Sequence, residues 1–207
     1  MLKPSDIKLS NNYLICGIDE SGRGALAGPL VAAAVVINRT IKKKLDKIRT
    51  PLKDGKLLLP KQRRKIYQFL KSTGAEIKID IISTRRINNR GIQRANREVI
   101  RNLIKQIEAD QYIVDGNIKL GRIKGKTSRV KTVVDADAKI LPVILAGIVA
   151  KVERDKLMKQ LHRQYPNYKW HRNAGYGTKV HISAIKQHGI CLYHRHIFVH
   201  TALGKLD

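Results

Sequence analysis

Two apolar, β-branched runs near the amino end place the strongest constraint on how this 207-residue chain folds. Tyr13–Asp19 and Leu30–Ile37 are predicted strands, and a glycine-rich turn joins them. Because both runs are apolar almost without interruption, we expect them to be buried on both faces, inside a sheet. The first run ends in two adjacent carboxylates, Asp19 and Glu20, and a glycine-flanked arginine follows at once.

Acidic residues are scarce in this chain, which has 16 of them against 42 lysines and arginines and therefore a formal net charge of +26. Positive charge spread along the whole sequence favours an acidic polymer as partner, and nucleic acid rather than a membrane. A merely solubilising surface is the alternative, although solubility does not require so lopsided a balance. Carboxylates at a strand end of such a chain indicate a divalent cation that bridges them to phosphate oxygens.

Hydrophobic periodicity predicts one α/β domain, with strands mainly in the front half and helices in the back half. Residues 118–131 are predicted to be a basic loop without an apolar core face. The division expected from this pattern is a catalytic domain over 1–160 and a helical subdomain over 161–207. Besides the first two strands, the predicted elements are strands at Glu76–Ile82, Tyr112–Asp115 and Thr132–Val134, and helices at Pro60–Lys71, Asn88–Glu108, Pro142–Leu161 and Thr178–Gln187.

Targeting signals and cysteine clusters are not evident in the sequence. The chain opens without a charged-then-apolar leader, and no apolar run approaches the roughly 20 residues that span a bilayer. Cys16 is predicted to be a small core residue, and Cys191 lacks the neighbours that a metal site needs. We therefore expect a soluble protein in the reducing cytoplasm. The later histidines lack compact ligand spacing and are predicted to face the surface or phosphates; they are His181, His188, His194, His196 and His200.

The acids of the predicted strands share one position, because each follows an apolar strand directly. Asp19 and Glu20 follow the first strand, Asp115 follows Tyr112–Val114, and Asp135 and Asp137 follow Val133-Val134. Ligand sites of α/β sheets form at strand ends, and carboxylates that converge there would repel one another without cations. Their oxygen donors favour Mg²⁺ or Mn²⁺. Separate roles as turn and helix caps are the alternative, and spacing alone leaves both interpretations open.

An ordered set of motifs resembles the ribonuclease HII family and extends over nearly the whole chain from about Leu14. The opening signature is the most specific part. The matching segments are Gly17-Ile-Asp-Glu-Ser-Gly-Arg-Gly24, Ala27-Gly-Pro29, Ala32-Ala-Ala-Val35, Asp54-Gly-Lys-Leu57, Ile113-Val-Asp-Gly-Asn117, Asp137-Ala-Lys139, Ile148-Val-Ala-Lys-Val152 with Arg154-Asp155, Gly175-Tyr-Gly-Thr178, and His194-Arg195 with Phe198.

The resemblance implies a ribonuclease H-like mixed sheet flanked by helices, with a helical carboxyl subdomain. It implies a monomeric endoribonuclease that hydrolyses RNA in RNA–DNA hybrids and cuts at single ribonucleotides in duplex DNA, with two metal ions and water as nucleophile. The implied catalytic metal ligands, for Mg²⁺ or Mn²⁺, are Asp19, Glu20, Asp115 and Asp137. The implied substrate contacts are Gly22, Arg23, Gly24, Lys56 and Tyr176. Sensing a 2′-hydroxyl is physically sensible, since that group distinguishes RNA from DNA.

Several alternatives remain open from the sequence. Arg23 is either a solvated loop residue or a phosphate contact, and without its motif Tyr176 would be an ordinary turn aromatic. The basic loop, Lys119 to Lys131, is either a clamp on duplex backbone or a mobile solvated insertion. The rival functions are a basic structural nucleic-acid-binding protein without catalytic activity, and a hybrid-cleaving nuclease with little preference for single ribonucleotides. A dinucleotide-binding loop is excluded because the glycine spacing is wrong.

The chain also departs from the family pattern at six positions near the expected site. Several of these changes remove a hydrogen-bond donor, and Asp135 adds a negative charge. We hypothesise weaker phosphate contacts at single sites, offset by the high overall positive charge, and an altered metal preference. The departures are Gly55 for serine, Asp135-Ala136 for Lys-Gly, Gly147 for serine, Asn173 for histidine and Ala174 for lysine.

Overall fold

The structure, a computed structural model, describes residues 12–48, 52 and 55–204, apart from the Lys56 side chain. Its strands are β1 (Ile15–Ser21), β2 (Leu30–Ile37), β3 (Ile77–Ile82), β4 (Gln111–Asp115) and β5 (Val130–Val133). Its α-helices are α1 (Arg39–Leu45), α2 (Pro60–Ser72), α3 (Thr84–Arg90), α4 (Ile92–Gln106), α5 (Ala136–Lys139), α6 (Leu141–Gln164), α7 (Trp170–Asn173), α8 (Lys179–His188) and α9 (His196–Leu203).

The strands form one mixed sheet in the order β3-β2-β1-β4-β5. β2 pairs antiparallel with both β1 and β3, whereas β4 pairs parallel with β1 and β5. Every residue of β2 is buried, which confirms the expected burial on both faces. The central position of β1 brings the end that carries Asp19 and Glu20 beside the end of β4.

The two faces of the sheet bury separate cores, because side chains alternate along each strand. Cys16 and Ile18 lie in the core beneath α4, whereas Ile15 packs with Val143 at the start of α6. Gly17 also faces α6, and a Cβ there would overlap the main chain of Pro142. The backbones of β1 and α6 are therefore in direct contact at this point.

The helix predicted over Asn88–Glu108 is two helices in the structure, α3 and α4. Gly91 separates them with φ 76° and ψ 154°, a conformation that an α-helix cannot contain. Its N–H still donates to the Ile87 carbonyl at 2.8 Å and so ends α3. The apolar spacing continues through this break, so periodicity alone did not reveal it. The segment between β2 and α2 likewise contains an unpredicted helix, α1, which the Asn38 side chain caps by accepting from the Ile41 N–H at 2.9 Å.

The prediction that residues 118–131 lack a core face was wrong. Leu120 and Ile123 are buried beneath α4, because the loop folds back over that helix. The loop also ends earlier than predicted, since β5 begins at Val130. Lys126 is buried as well, and its ammonium donates to the Ile104 carbonyl at 2.9 Å. The segment is therefore anchored to the domain, in contrast to the mobile insertion that the sequence left open.

The carboxyl helices pack around Trp170, which is completely buried. Met158, in the second half of α6, belongs to the same core, and Leu26 and Ala27 of the turn between β1 and β2 complete it. α6 therefore runs from the sheet into the carboxyl helices, across the predicted boundary at residue 160. None of the helices in the described part of the chain is long and apolar enough to cross a membrane.

Candidate active site

The acidic pair lies where β1 ends, and its two side chains point to opposite faces of the sheet. Asp19 is 8% exposed and lies against α6, and its Oδ1 accepts the Glu20 N–H at 2.7 Å. Glu20 points toward α4, where its Oε1 accepts from Asn96 Nδ2 at 3.4 Å. Arg23 Nη1 lies 3.7 Å from the same oxygen. The apolar run thus ends with one carboxylate on each side of the strand.

Asp115 and Asp137 lie at the same edge of the sheet. Asp115 is the last residue of β4, directly beside β1. Asp137 lies in the first turn of α5, is 8% exposed, and donates its main-chain N–H to Asp115 Oδ1 at 3.2 Å. The Gly116 turn, with φ 84°, ends β4 as expected for a sharp stop after Asp115. Asp115 thus accepts a main-chain N–H from the first turn of α5 and also lies close to Asp137. A capping role and the convergence of these two acids are therefore compatible.

The four carboxylates influence one another electrostatically. Burial, together with the charges of Glu20, Asp115 and Asp137, raises the pKa of Asp19 well above its usual range. Burial also raises the pKa of Glu20 to about 6, with contributions from Asp115 and Asp137, although Arg23 and Asn96 act in the opposite direction. Protein groups alone stabilise several carboxylate charges poorly at a buried site such as this edge of the sheet.

The donor set fits a divalent cation with an open coordination shell. In residues 12–48 and 55–204, no three His, Cys, Asp or Glu side chains already surround one ion position. Mg²⁺ does not require such a cage, because it is commonly held by one or two carboxylates and completes its shell with water and phosphate oxygens. A bound cation would stabilise the charged forms of Asp19 and Glu20, whose pKa values burial and the neighbouring carboxylates raise.

Gly147 of α6 forms the wall behind Asp19. A Cβ at this position would overlap Asp19 Oδ2, so the carboxylate occupies the space that a side chain would take. The departure from serine at this position is therefore linked to the position of Asp19. Gly55 is a milder case, since an added Cβ would lie 3.3 Å from Ile148. The Lys56 side chain, a predicted substrate contact, lies outside the described residues.

The glycines of the loop after β1 are required for different reasons. Gly22 has φ 93°, and a Cβ on it would overlap the Arg154 guanidinium. Gly24 has no other group within 4 Å of an added Cβ, so packing does not demand glycine there. Arg23, between them, has a side chain that is 63% exposed. The loop therefore presents open backbone and one cation beside Glu20.

Tyr176 lies over two cations of α6. The Arg154 Cζ atom is 5.3 Å and the Lys151 Nζ atom 5.7 Å from the centre of its ring. The ring is 36% exposed, which leaves area for a ligand. Just before Tyr176, Asn173 uses its amide internally, since Nδ2 donates to the Tyr168 carbonyl at 2.8 Å and Oδ1 accepts the Gly175 N–H at 2.8 Å. Asn173 therefore supports the turn that carries Tyr176.

Two buried arginines hold this region together, and the sequence analysis gave them no role. Arg154 is fully buried and donates from Nε to the Pro29 carbonyl at 3.0 Å, from Nη1 to Ala174 at 2.9 Å and from Nη2 to Ala27 at 3.0 Å. Arg195 is also fully buried and donates to the Gly28 carbonyl from both Nε and Nη2.

The partners of these arginines are main-chain carbonyls far away in the sequence, so composition and spacing did not reveal them. Burial lowers the pKa of Arg154. Burial and the neighbouring charge of Arg154 lower the pKa of Arg195 to about 9. Both side chains keep their proton at neutral pH and donate from every hydrogen-bonding edge.

The expectation that the later histidines lie at the surface was wrong for His181 and His194, which are fully buried. Trp170 Nε1 donates to His181 Nε2 at 2.9 Å, which places the His181 proton on Nδ1, where it donates to the Tyr176 carbonyl at 2.9 Å. The Cys191 N–H donates to His194 Nδ1 at 2.9 Å. His194 therefore carries its proton on Nε2, which lies 3.2 Å from His181 Nε2, so Trp170 and His194 share the one lone pair of that nitrogen. Both rings are neutral in this network.

A mixed sheet in this order, with helices on both faces and acids at the ends of β1 and β4, defines the ribonuclease H-like class. Solved structures agree on the fold. The ribonuclease H2 of Pyrococcus horikoshii OT3 superposes with a TM-score of 0.72 over 93% of this chain and 98% of its own, at 24% identity. A Bst-RNase HIII in complex with Mn²⁺ gives 0.66 over 94% of this chain and 70% of its own, at 19% identity.

Sequence comparison identifies the family within this class. The family model for ribonuclease HII matches residues 16–201. The ribonuclease HII of Wolbachia pipientis subsp. Culex pipiens is 38% identical over 95% of this chain and 97% of its own length. That of Rickettsia rickettsii (strain Sheila Smith) is 38% identical over 92% and 94%. The chain belongs to the ribonuclease HII family.

Family membership confirms the predicted fold class and the predicted endoribonuclease activity on RNA–DNA hybrids. The protein is a metal-dependent endoribonuclease of the ribonuclease H type that acts on RNA–DNA hybrids. A basic structural protein without catalytic activity, the rival from another class, is thereby rejected. The acids at the strand ends, which that rival left unexplained, belong to a nuclease.

Proposed function

We propose that Asp19, Glu20, Asp115 and Asp137 are the catalytic carboxylates, and that they hold Mg²⁺ or Mn²⁺. The observation that carries this proposal is that all four lie at one edge of the sheet, where the charges of Asp115 and Asp137 contribute to the raised pKa values of Asp19 and Glu20. When bound, such ions lower the pKa of the attacking water and stabilise the departing oxygen. The carboxylates supply the negative charge for this, and their buried surroundings strengthen each electrostatic interaction. No side chain is required as nucleophile.

The proposed division of labour follows from the two faces of β1. Asp19 lies on the α6 side, with Gly147 behind it, and its position is set by main chain that cannot shift independently. Glu20 lies on the α4 side, where Asn96 orients it and Arg23 limits its repulsion with the other acids. Arg23 is also placed to reach a phosphate beside these carboxylates.

Besides RNA–DNA hybrids, the substrates we propose are DNA duplexes that contain single ribonucleotides. Gly22, Arg23 and Gly24 would approach the ribose through open backbone, and Tyr176 would stack on the sugar or base at the junction. Lys56 would add a phosphate contact. The exposed Arg23 side chain, the free space at Gly24 and the exposed ring of Tyr176 support this assignment. A loop that reads a 2′-hydroxyl needs main chain at close range, which glycine permits.

We further propose that the chain works as a monomer in the cytoplasm, with residues 1–160 as catalytic domain and 161–207 as a helical subdomain. The carboxyl helices support this organisation because they pack around Trp170 and contact the sheet domain through the turn at Leu26 and Ala27. This subdomain would place Tyr176 beside the glycine loop. The crossing of residue 160 by α6 makes the two parts one rigid support.

Cleavage of three duplexes of one sequence tests the proposed function: all DNA, one ribonucleotide in DNA, and a full hybrid. We expect incision of the second and third with Mg²⁺ or Mn²⁺, none with a chelator, and none of the all-DNA duplex. Products mapped at nucleotide resolution identify the broken bond. A protein that cuts the hybrid and leaves the single ribonucleotide intact would retain the family activity but contradict the finer specificity.

Site variants test the carboxylate assignment. Asp115→Asn should bind duplex about as well as the unchanged protein and cleave it at least about 100-fold more slowly, because one metal-binding charge is lost while the phosphate contacts remain. Asp46→Asn is the matched control, since Asp46 is exposed and follows α1 at the opposite end of the sheet. Unimpaired turnover by Asp115→Asn would overturn the assignment.

A further inference from the structure

A cationic groove runs along α4, away from the candidate carboxylates. Its first section is lined by Arg23, Asn96, Arg97 and Lys119, and its second section by Arg94, Arg97, Arg101 and Lys105. Arg97 belongs to both sections, so the two are continuous. The groove begins at the site, because Asn96 donates to Glu20. We define the α4 groove by its six cations, Arg23, Arg94, Arg97, Arg101, Lys105 and Lys119.

Four of these cations lie on one face of α4, since three or four positions separate each from the next along the helix. They are Arg94, Arg97, Arg101 and Lys105. The opposite face is apolar and packs on the sheet. Arg94, Arg97 and Lys105 are exposed. The distance from Arg94 to Lys105 along the helix is about 16 Å at 1.5 Å per residue, which is the axial length of about five base pairs.

Like charges at this spacing destabilise a helix, so the stripe requires an explanation. Glu98 is the single acid of α4, and it is already engaged by Arg86 and by Arg90, whose Nη1 lies 3.7 Å away. In the described part of the chain, neither Arg94, Arg97 nor Lys105 has an ion pair or side-chain hydrogen bond. The fold therefore carries uncompensated charge here.

The floor of the groove is held rigidly. Arg101 donates to the carbonyls of Leu120 and Arg122, the second at 3.0 Å. Lys126 donates to the carbonyls at the end of α4, and Arg129 Nη1 donates to the Ala109 carbonyl at 2.9 Å. Arg101 of α4 and two cations of the basic loop, Lys126 and Arg129, thus fix that loop against α4. Lys119 remains exposed beside Arg97, in a fixed position.

We propose that the α4 groove binds the phosphate backbone of the substrate duplex over about five base pairs on one side of the scissile bond. This inference rests on the proposed function, because the groove starts at the carboxylates assigned there. A protein partner fits less well, since interface centres are apolar or aromatic and the groove is cationic and polar. Phosphates fit because a row of cations spaced along a helix can contact them without requiring a particular base.

Duplex binding in a salt series tests the proposal. The full chain is titrated into labelled duplex with a chelator present, so that no cleavage occurs, and anisotropy gives Kd. Arg94→Gln/Lys105→Gln should lower the slope of log Kd against log salt by about 1.8, because each lost phosphate contact removes about 0.9. Lys43→Gln/Lys47→Gln is the matched control, since both lysines are exposed on or just after α1, at the opposite end of the sheet. Its slope should be unchanged.

Duplex length gives the second measurement. Extending the duplex on one side of the ribonucleotide from about three to about eight base pairs should tighten binding by the unchanged protein but not by Arg94→Gln/Lys105→Gln. Cleavage at saturating substrate should keep its kcat in this variant while KM rises. Equal slopes and equal length dependence in the variant and the unchanged protein would overturn the groove proposal. Failure of the proposed function would appear separately, as absence of ribonucleotide incision by the unchanged protein.

Discussion

Arg195 Nη1 donates a hydrogen bond of 2.9 Å to the main-chain carbonyl of Arg23. The carboxyl helices therefore hold the substrate-facing loop directly, by its backbone. Arg154 holds the other side of the same loop through the carbonyls of Ala27 and Pro29. Since neither guanidinium has an ion pair among the described residues, main-chain oxygens alone satisfy two adjacent buried cations. The position of the loop depends on both arginines.

Replacing Arg154 by methionine should destabilise the protein by about 3 kcal/mol. Three buried carbonyls, those of Pro29, Ala174 and Ala27, would lose their donor, and unsatisfied buried acceptors cost about 1–3 kcal/mol each without being fully additive. Urea unfolding measures the free energy of unfolding. Lys159→Met, an exposed change on the same helix, should stay within about 0.5 kcal/mol. A loss below about 1 kcal/mol for Arg154→Met would refute the role. The loss of unfolding free energy for Arg154→Lys should be smaller than for Arg154→Met and larger than for Lys159→Met.

Substitutions at Gly147 should reveal how closely Asp19 is confined. In Gly147→Ala the methyl group overlaps Asp19 Oδ2, so the carboxylate must rotate, and we expect kcat to fall about tenfold or more with duplex affinity retained. Gly147→Ser should lose less, because its hydroxyl can donate to the displaced carboxylate. Gly204→Ala serves as control, since Gly204 has helical φ of −71° and an added Cβ lies 3.4 Å from the His200 carbonyl. Equal activity of all three variants would contradict the prediction.

The buried histidine pair predicts a loss of stability in mild acid. Burial lowers the pKa of His194 to about 4, against 6.5 for an ordinary histidine. Between these values the unfolded chain binds a proton that the folded protein excludes, so the free energy of unfolding falls as pH decreases from 6.5 to 4. The full contribution is about 3 kcal/mol. It is present above pH 6.5 and is lost toward pH 4.

Urea unfolding at several pH values measures this effect. His194→Gln should flatten the pH dependence between 6.5 and 4, whereas His188→Gln, at an exposed position near the end of α8, should leave it unchanged. Glutamine can still donate toward His181, which limits the damage to the fold. An identical pH dependence in His194→Gln and the unchanged protein would show that another group titrates.

Tyr176 should matter more for single ribonucleotides than for long hybrids. Tyr176→Ala removes the ring over Arg154 and Lys151 and with it the proposed stacking contact, which is worth about 1–3 kcal/mol for a base on an aromatic ring. We expect kcat/KM on the one-ribonucleotide duplex to fall about tenfold, and more than on the full hybrid. Tyr13→Ala is matched in exposure, 39% against 36%, and lies before β1, away from the site. Equal losses on both substrates would argue against junction sensing.

The strands and the placement of the acids were predictable from the sequence because both depend on local signals. The apolar runs around Ile18 and Val114 identified the sheet, and each ended directly at a carboxylate. The turn at Gly116 is equally local. Parallel pairing of β1 and β4 then brought Asp19 and Asp115 to one edge, as strand-end positions predict.

The features that sequence analysis missed depend on partners distant in the chain. Arg154 and Lys126 have the composition of solvated residues, and their burial follows from carbonyls that no motif records. The burial of His181 and His194 was missed because their neutral hydrogen-bonded pairing depends on Trp170. The break at Gly91 was hidden because the apolar spacing runs through it on both sides.

The contact between β1 and α6 at Gly17 has a consequence for how this enzyme can change. No side chain lies between the two backbones there, so no repacking can absorb an added methyl group. A displacement of Pro142 would be transmitted along α6 to Gly147, which lies behind Asp19. In a randomised library selected for cleavage, we expect the isoleucines around this contact to be replaced by other apolar residues. Position 17, by contrast, should always remain glycine.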